Sequence, residues 1–438
     1  MLGHLLNFGR HTLTRDIDSV GLGGNDWSAV YRLFECSRID IIELFGVIMK
    51  ELEMQLEKTD PVLAFIDDTL LKKRGKKVFG TSWKLDPLGP KFSNNFIWAQ
   101  RYMQISLAYK EPEGRCRAIP VSFRHCPVPK KPGRKATEAE INEYKELQKV
   151  HRLPVRAHEE ILSLRSSIES NRRLIIIGDG GYTNSSVCKK LPPDTDYIGR
   201  MRKNALLFEV PILQNEGRGR KKFYGKQLPT PEELRQYNIA DWQEISAATG
   251  NGYHNFKIKS YAAVRSKIAG EQNLKLIIIQ PLRYRLTARS RLLYRDPAYI
   301  ICTNPNIPDK DILQYYLWRW EIEINFKDEK TSFGIHEAHV RTAEAVESLP
   351  AFIAAMYSLF LLSCKKTFGD LNPATYPKWR KPETIFRPST SSFISSFRME
   401  VLSGSITNKS AFATPLTFAQ NPFLFQNLLS SLIQATLN

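Results

Sequence analysis

The sequence predicts an α/β fold built around a mixed sheet, and three observations lead to this prediction. Apolar runs with strand character recur along the chain, at 62–66, 96–109, 115–123, 173–177 and 298–302. A charged helical stretch over 137–168 separates the third of these runs from the fourth. A long helix, beginning near Ile312, follows the last one. Buried strands that alternate with helices are typical of an α/β layer.

The composition is that of a globular protein with an excess of positive charge. The 438 residues include 63 Lys and Arg against 45 Asp and Glu, a formal net charge of +18. This charge favours a polyanionic partner, either nucleic acid or an anionic membrane. The longest apolar run, 350–364, is shorter than the roughly 20 residues of a membrane-spanning helix, which predicts a buried core helix and no membrane partner. Six irregularly spaced cysteines predict reduced thiols in a cytosolic protein.

Changes in pattern divide the chain into five predicted segments. These are an N-terminal helical region (1–58), the first part of an α/β core (59–195), a β-rich basic insertion (196–295), the second part of the core with a long helix (296–370), and a C-terminal region (371–438). In the first segment, helical stretches at 11–20 and 28–38 flank a Gly-rich turn. This arrangement fits a DNA-binding helix-turn-helix and a small helical bundle equally well.

Aspartates follow two of the predicted buried strands. Asp67 and Asp68 come after the run at 62–66, and Asp179 comes after the run at 173–177. Two such acids and a third can hold two Mg²⁺ ions about 4 Å apart, an arrangement that catalyses in-line displacement at phosphorus. The alternative is that these aspartates cap turns. On the aspartates alone, the capping interpretation is favoured.

The long helix carries a row of polar side chains. At about 100° per residue, Tyr316, Arg319, Glu323 and Lys330 fall within an arc of roughly 60°. A carboxylate flanked by two cations suits a site that binds both metal and phosphate. A solvated face with ion pairs between neighbouring turns is the alternative, and spacing alone does not decide between them.

These residues carry a resemblance to a known family. Tyr316-x2-Arg319-x3-Glu323-x6-Lys330 resembles the Y-x2-R-x3-E-x6-K signature of DDE transposases of the large insertion-sequence family that moves by cut-and-paste. Asp67-Asp68-Thr69 with its Lys- and Gly-rich continuation is similar to that family's first catalytic block, and Asp179-Gly-Gly-Tyr182 is similar to the second. The resemblance implies an RNase H-like core interrupted by a mostly β insertion, which suits the long interval between Asp179 and Glu323.

The resemblance also implies roles for individual residues. Asp68, Asp179 and Glu323 would be the catalytic, metal-binding triad, and Tyr316, Arg319 and Lys330 would contact the phosphate backbone near the cleaved end. Asp68 is preferred to Asp67 because the family's acid directly precedes the Thr. A shift of one residue would place the acid on the other face of the strand. The cofactor would be two Mg²⁺ ions, with Mn²⁺ as a substitute.

Basic residues cluster in the predicted insertion. One cluster, a Gly- and Arg-rich segment that is expected to enter a minor groove, contains Arg218, Arg220, Lys221 and Lys222. A second cluster is interleaved with Tyr284 and Tyr294 and contains Arg283, Arg285, Arg289, Arg291 and Arg295. Charge runs are usually solvated loops, but inside a DNA-processing insertion they favour contact with DNA.

Together these features lead us to expect a cut-and-paste transposase. It would cleave DNA at the transposon ends and then catalyse strand transfer by the freed 3′-OH. Its partners would be double-stranded DNA, both terminal inverted repeats and target, and a second copy of the chain in a synaptic homodimer. A cytoplasmic, nucleoid-associated location in a prokaryotic host is expected. Two alternatives stay open: a catalytically inactive, transposase-derived DNA-binding protein, and an RNase H-like nuclease without end specificity.

Overall fold

The structure is a computed structural model that divides into two compact units. It describes residues 1–90, 92–211, 222–250, 252–285, 287, 289–369 and 387–409, with side chains as far as 401. Unit 1 comprises Met1–Ile48, Leu70–Gln100 and Ile324–Asn438, and unit 2 comprises Met49–Thr69 and Arg101–Glu323.

The described elements follow in chain order. The helices are α1 (Leu2–Leu6), α2 (Leu13–Asp18), α3 (Trp27–Glu35), α4 (Ile41–Gln55), α5 (Glu138–Val150), α6 (Leu153–Ser167), α7 (Ser185–Cys188), α8 (Pro231–Gln236), α9 (Asp309–Trp318), α10 (Trp320–Thr331), α11 (Ala343–Phe368) and α12 (Thr390–Lys409). The strands are β1 (Val62–Lys72), β2 (Ser82–Leu85), β3 (Phe96–Glu111), β4 (Arg115–His125), β5 (Leu174–Gly178), β6 (Thr195–Arg200), β7 (Leu207–Glu209), β8 (Gln227–Leu228), β9 (Gln243–Thr249), β10 (Gly252–Arg265), β11 (Leu274–Ile279), β12 (Arg283–Tyr284), β13 (Leu293–Tyr294) and β14 (Ala298–Cys302).

Unit 2 is organised by a large mixed sheet. Its strands lie in the order β4, β3, β1, β5, β6, β14, β11, β10, β7, β8, with β9 paired to β10. Strands β1, β5 and β6 are parallel, whereas β14, β11 and β10 continue the sheet in antiparallel pairs. The predicted mixed α/β sheet is therefore confirmed. The strands between β6 and β14 extend this sheet instead of forming a separate one, except for the small β12–β13 pair.

The register between β1 and β5 determines which acids are neighbours. These parallel strands pair from Val62 with Leu174 to Ile66 with Gly178. The next residue of β1 is Asp67, and the residue that directly follows the end of β5 is Asp179. Because paired residues of parallel strands point to the same face of a sheet, this register carries Asp67 and Asp179 to one face. Asp68 falls on the opposite face of β1.

Several elements differ from the sequence expectation, each for a local reason. Strand β1 does not end before the aspartates but continues through them to Lys72, because Thr69 and Leu71 continue the alternating burial. The expected helix over 137–168 is two helices, since Arg152 is extended and the next helix begins at Leu153 with Pro154 in its first turn. Helix α12 was not expected, and the residues after it lie outside the described part of the chain.

The core of unit 1 contains the apolar helix α11. This helix is long and apolar enough to cross a membrane, but 83% of its most apolar window is buried. Phe352 packs edge-to-face against Phe34 of α3, with ring centroids 5.5 Å apart. The buried guanidinium of Arg398 donates hydrogen bonds to the carbonyl oxygens of Leu5 and Asn7. The environment of α11 is therefore that of a core helix, as the sequence predicts.

Candidate active site

Two carboxylates of unit 2 are joined by one guanidinium, and a third lies beside them. Arg319 donates from Nη1 to Asp67 Oδ2 at 3.0 Å and from Nη2 to Glu323 Oε1 at 2.8 Å. The register of β1 and β5 places Asp179 beside Asp67 on the same face. The structure thus brings Asp67, Asp179, Arg319 and Glu323 together.

The electrostatics of Asp67 are those of a buried acid among other acids. The pKa of Asp67 is raised to about 7: burial raises it most, Arg319 lowers it, and the negative charges of Asp179 and Asp68 raise it. Two neighbouring carboxylates in a poorly solvated place repel one another unless a cation lies close by. Arg319 supplies one such charge, and its side chain is only 13% exposed.

Asp68, the acid preferred from the sequence, makes different contacts. Its Oδ1 accepts a hydrogen bond from the Tyr182 hydroxyl at 3.0 Å, and its Oδ2 lies 3.3 Å from Nε of Arg101. Tyr182 is 1% exposed. The geometry therefore departs from the sequence expectation: Asp67 lies on the face of Arg319 and Glu323, and Asp68 anchors Tyr182. The physical reason is strand alternation, since β1 runs on through both aspartates.

Asp179 is held in place by the turn after β5. Its Oδ1 accepts a hydrogen bond from the Gly181 amide at 2.7 Å. Its carbonyl oxygen accepts from the hydroxyls of Thr183, at 3.0 Å, and of Tyr197, at 3.3 Å. Tyr197 is fully buried. Backbone and side chain of Asp179 are thus both oriented before any ligand binds.

This packing leaves no room for a side chain at Gly178, the residue before Asp179. A Cβ there would lie 2.7 Å from the Tyr197 hydroxyl oxygen and 3.2 Å from Cβ of Tyr182. We expect Gly178→Ala to lower the free energy of unfolding by about 1–3 kcal/mol, because the neighbouring rings must shift. Urea denaturation measures this effect. Gly133→Ala is the matched control, since a Cβ at Gly133 meets nothing within 4 Å; equal stability of the two variants would contradict the packing argument.

The helix that carries Glu323 is interrupted at Arg319. Helix α9 ends at Trp318 and α10 begins at Trp320, and the Ile322 amide donates to the Arg319 carbonyl three residues earlier. The single continuous helix assumed from the sequence is therefore wrong in this detail. The break occurs where Trp318 donates from Nε1 to the Gly114 carbonyl at 2.9 Å and where the Arg319 side chain reaches two acids.

Helix α9 is also tied to strand β9. The side-chain amide of Gln314 accepts a hydrogen bond from the Ala248 amide at 2.8 Å and donates one to the Ala248 carbonyl at 2.9 Å. A side-chain amide that pairs in this way continues the edge of a strand as a backbone group would. Helix α9, which precedes Glu323, is therefore held by two contacts. Gln314 binds β9, and Trp318 binds the β3–β4 turn at Gly114.

The other three residues of the predicted signature, Tyr316, Arg319 and Lys330, differ in their contacts and in the unit to which they belong. Tyr316 is half-buried on α9, and burial raises the pKa of its phenol. Arg319 binds two carboxylates, which differs from the expected phosphate contact. Lys330 lies on the part of α10 that belongs to unit 1, where burial lowers its pKa.

The two predicted basic clusters differ in how much the structure describes. Arg218, Arg220 and Lys221 lie outside the described residues, while Lys222 is exposed. The second cluster lies on the β12–β13 hairpin, where its five arginines are exposed: Arg283, Arg285, Arg289, Arg291 and Arg295. The Arg295 guanidinium lies over the ring of Tyr284, 5.4 Å from its centroid. This hairpin presents a concentrated positive surface.

Four residues of the site were not found from the sequence. Arg101 supports Asp68, Tyr197 supports Asp179, and Gln314 and Trp318 anchor α9. Arg101 carried a signal, because it interrupts the apolar run at 96–109 with a charge. No sequence pattern pointed to Tyr197, Gln314 or Trp318, because each of them contacts a backbone atom that is distant in sequence.

The donor set fits a hard divalent cation. Asp67, Asp179 and Glu323 offer carboxylate oxygens, the ligands that Mg²⁺ and Mn²⁺ prefer. Burial is the main cause of the raised pKa of Asp67, and the negative charges of Asp179 and Asp68 add to it; a bound cation would offset both effects.

Acids gathered on a mixed α/β sheet are typical of metal-dependent nucleases that act by phosphoryl transfer. The family described as "DDE superfamily endonuclease" matches residues 1–254, more than half of the chain. The chain belongs to this family. Glu323 lies beyond the matched residues, whereas Asp67 and Asp179 lie within them. A comparison with curated proteins finds no significant match.

Membership in this family indicates the class of reaction, the class of substrate and the type of cofactor. It implies nuclease activity by phosphoryl transfer, DNA as the substrate, and the divalent metal dependence that is general in the family. The large mixed sheet is consistent with an RNase H-like DDE domain.

Proposed function

We propose that the protein is a cut-and-paste DNA transposase whose triad is Asp67, Asp179 and Glu323. The observation that carries this proposal is the Arg319 guanidinium, which joins Asp67 to Glu323 on the face that Asp179 shares. Membership in the DDE superfamily supports the reaction class. The reaction would be cleavage at transposon ends followed by attack of the freed 3′-OH on the partner strand or the target.

Each residue of the cluster has a distinct part in this proposal. Asp67, Asp179 and Glu323 would hold two Mg²⁺ ions, which activate the attacking oxygen and stabilise the leaving one. Arg319 is a positioning residue that keeps Asp67 and Glu323 oriented toward a common point. Asp68 and Tyr182 form a second support, on the other face of β1. Tyr316 and Lys330 are proposed to contact the DNA backbone.

The proposal includes the macromolecular partners. Two transposon ends must be held together for coordinated cleavage, so a DNA-bound homodimer is proposed. The segment with Arg218, Arg220, Lys221 and Lys222 and the exposed β12–β13 hairpin are proposed to bind phosphates.

The hairpin proposal makes a quantitative prediction. Removing Arg289 and Arg291 together should weaken DNA binding about equally for all sequences, and should lower the slope of log K against log salt by about 1 per lost phosphate contact. Binding titrations at several salt concentrations measure this slope. The control removes two exposed lysines of α5, Lys145 and Lys149. An unchanged slope in the hairpin variant would exclude it from the DNA interface.

The test of function compares defined DNA substrates. The full chain is incubated with Mg²⁺ and linear DNA that carries the terminal sequences flanking its own gene, and with DNA in which those ends are scrambled. A transposase cleaves at the ends and joins the 3′-OH products to a target. Equal cleavage of both DNAs would favour the nuclease without end specificity. Binding without cleavage would favour the inactive DNA-binding protein.

A further inference from the structure

A second cluster of metal-ligating side chains lies in unit 1, apart from the three acids. One ligand atom each of His4, His11 and Asp16 lies within 4.8 Å of the other two. His4 and His11 are 6% and 8% exposed. These residues come from α1, from α2 and from the loop that joins them.

The hydrogen bonds of His4 orient one of its nitrogens toward Asp16. Nε2 lies 2.8 Å from the carbonyl oxygen of Phe333, and because a carbonyl can only accept, Nε2 carries a proton. Nδ1 lies 2.7 Å from Asp16 Oδ2. In the neutral ring this places a nitrogen lone pair against a carboxylate, so a proton or a cation must lie between them. A histidine whose other nitrogen donates to a carbonyl is the usual form of a metal ligand.

His11 contributes a buried nitrogen without a partner. Within the part of the chain that the structure describes, its Nδ1 is buried and has no hydrogen bond. Its ring centroid lies 4.3 Å from that of His4. A buried polar atom without a hydrogen bond costs free energy, which a ligand bound by that nitrogen in its unprotonated form would recover.

The surrounding chain is shaped to admit the His11 ring. Gly334 has a φ of +51°, and a Cβ there would lie 2.7 Å from both Cβ and Cδ2 of His11. The Glu337 carboxylate accepts a hydrogen bond from the His11 amide at 2.7 Å. A cavity of about 210 Å³ borders His4, His11 and Asp16 and is otherwise lined mainly by apolar side chains. This volume leaves room for a water as a further ligand.

We propose that His4, His11 and Asp16 bind a transition-metal ion of the Zn²⁺ class. Two imidazole nitrogens and one carboxylate oxygen, with water completing the set, are a typical Zn²⁺ ligand combination and a poor one for Mg²⁺. The ion joins α1, α2 and the loop between them, and the hydrogen bond from His4 to the Phe333 carbonyl connects this site to the segment at Phe333. This proposal does not depend on the proposed function, because none of its ligands belongs to the acid cluster.

The test uses the full chain with excess Mg²⁺ present, so that the acid cluster is occupied in every sample. Co²⁺ serves as the spectroscopic probe, since four-coordinate Co²⁺ with nitrogen ligands absorbs visible light far more strongly than six-coordinate Co²⁺ bound by carboxylates. We expect one equivalent of Co²⁺ to produce the intense bands and Zn²⁺ to displace it. At about 100 times its Kd, Zn²⁺ should raise Tm by about 3–5 °C.

Two variants and one control make the result decisive. His11→Ala removes one ligand, and Asp16→Asn preserves side-chain volume if the first variant fails to fold. Both should lose the intense Co²⁺ bands and the Zn²⁺-dependent rise in Tm. His254→Ala, at an exposed position on β10, should keep them. Wild-type protein without the bands, or variants that keep them, would overturn the proposal and leave a His4–Asp16 ion pair as the explanation of the contact.

Discussion

Asp67→Asn is expected to reduce Mg²⁺-dependent DNA cleavage by about 10³-fold or more. The substitution removes a charged metal ligand, and a loss of about 4 kcal/mol of transition-state stabilisation corresponds to a factor of 10³. Asp179→Asn and Glu323→Gln should have effects of the same size. Cleavage is measured as strand breaks in end-labelled DNA under single-turnover conditions.

The comparison with Asp68 makes this prediction specific. Asp68→Asn should lower stability through its contacts with Tyr182 and Arg101, while folded protein should retain far more cleavage than Asp67→Asn. DNA binding, measured by mobility shift, should survive in all four variants, because losing negative charge does not weaken attraction to phosphate. Asp241→Asn, an exposed acid of the same unit, is the control. Cleavage lost in Asp68→Asn but retained in Asp67→Asn would reverse the assignment.

Arg319→Met is expected to destabilise the protein most strongly when divalent metal is absent. The variant leaves Asp67 without its cation, and breaking such a pair costs about 2–4 kcal/mol once the partial exposure of Glu323 is considered. Added Mg²⁺ should restore much of the loss, since it supplies the missing positive charge. Urea denaturation with and without Mg²⁺ measures both effects.

A conservative variant separates charge from geometry. Arg319→Lys keeps the positive charge but lacks the planar group that reaches both acids at once. It should retain more metal-free stability than Arg319→Met and still cleave more slowly than wild type. If Arg319→Met were equally stable with and without Mg²⁺, the guanidinium would have no part in balancing the acids.

Much of the fold was predictable because buried strands leave strong patterns. The all-apolar runs before Asp67 and before Asp179 became the adjacent parallel strands β1 and β5. Asp67, Asp179 and Glu323 were all named as candidates from the sequence, and the helical region that carries Glu323 was predicted. The sequence comparison favoured Asp68 over Asp67, whereas the structure places Asp67 beside Arg319. Which acid lies on that face depends on strand register, which arises from pairing with a distant segment.

Other features depend on contacts that no local pattern records. The break at Arg319 coincides with a tryptophan that binds the carbonyl of Gly114 and a guanidinium that reaches Asp67, far away in sequence. The role of Tyr197 depends on β6 lying beside β5. In such cases tertiary structure overrides propensity, and periodicity alone cannot predict the result.

The paired hydrogen bonds between Gln314 and Ala248 connect the β-rich segment directly to the helix that precedes Glu323. A shortened chain without this segment would lose its basic hairpin, and the helix before Glu323 would also lose its lateral anchor. Exchanging the segment between related enzymes would therefore disturb alignment of the acids unless the residues equivalent to Gln314 and Ala248 were transferred together. Any chimaera of this protein should therefore take β9 and α9 from the same parent.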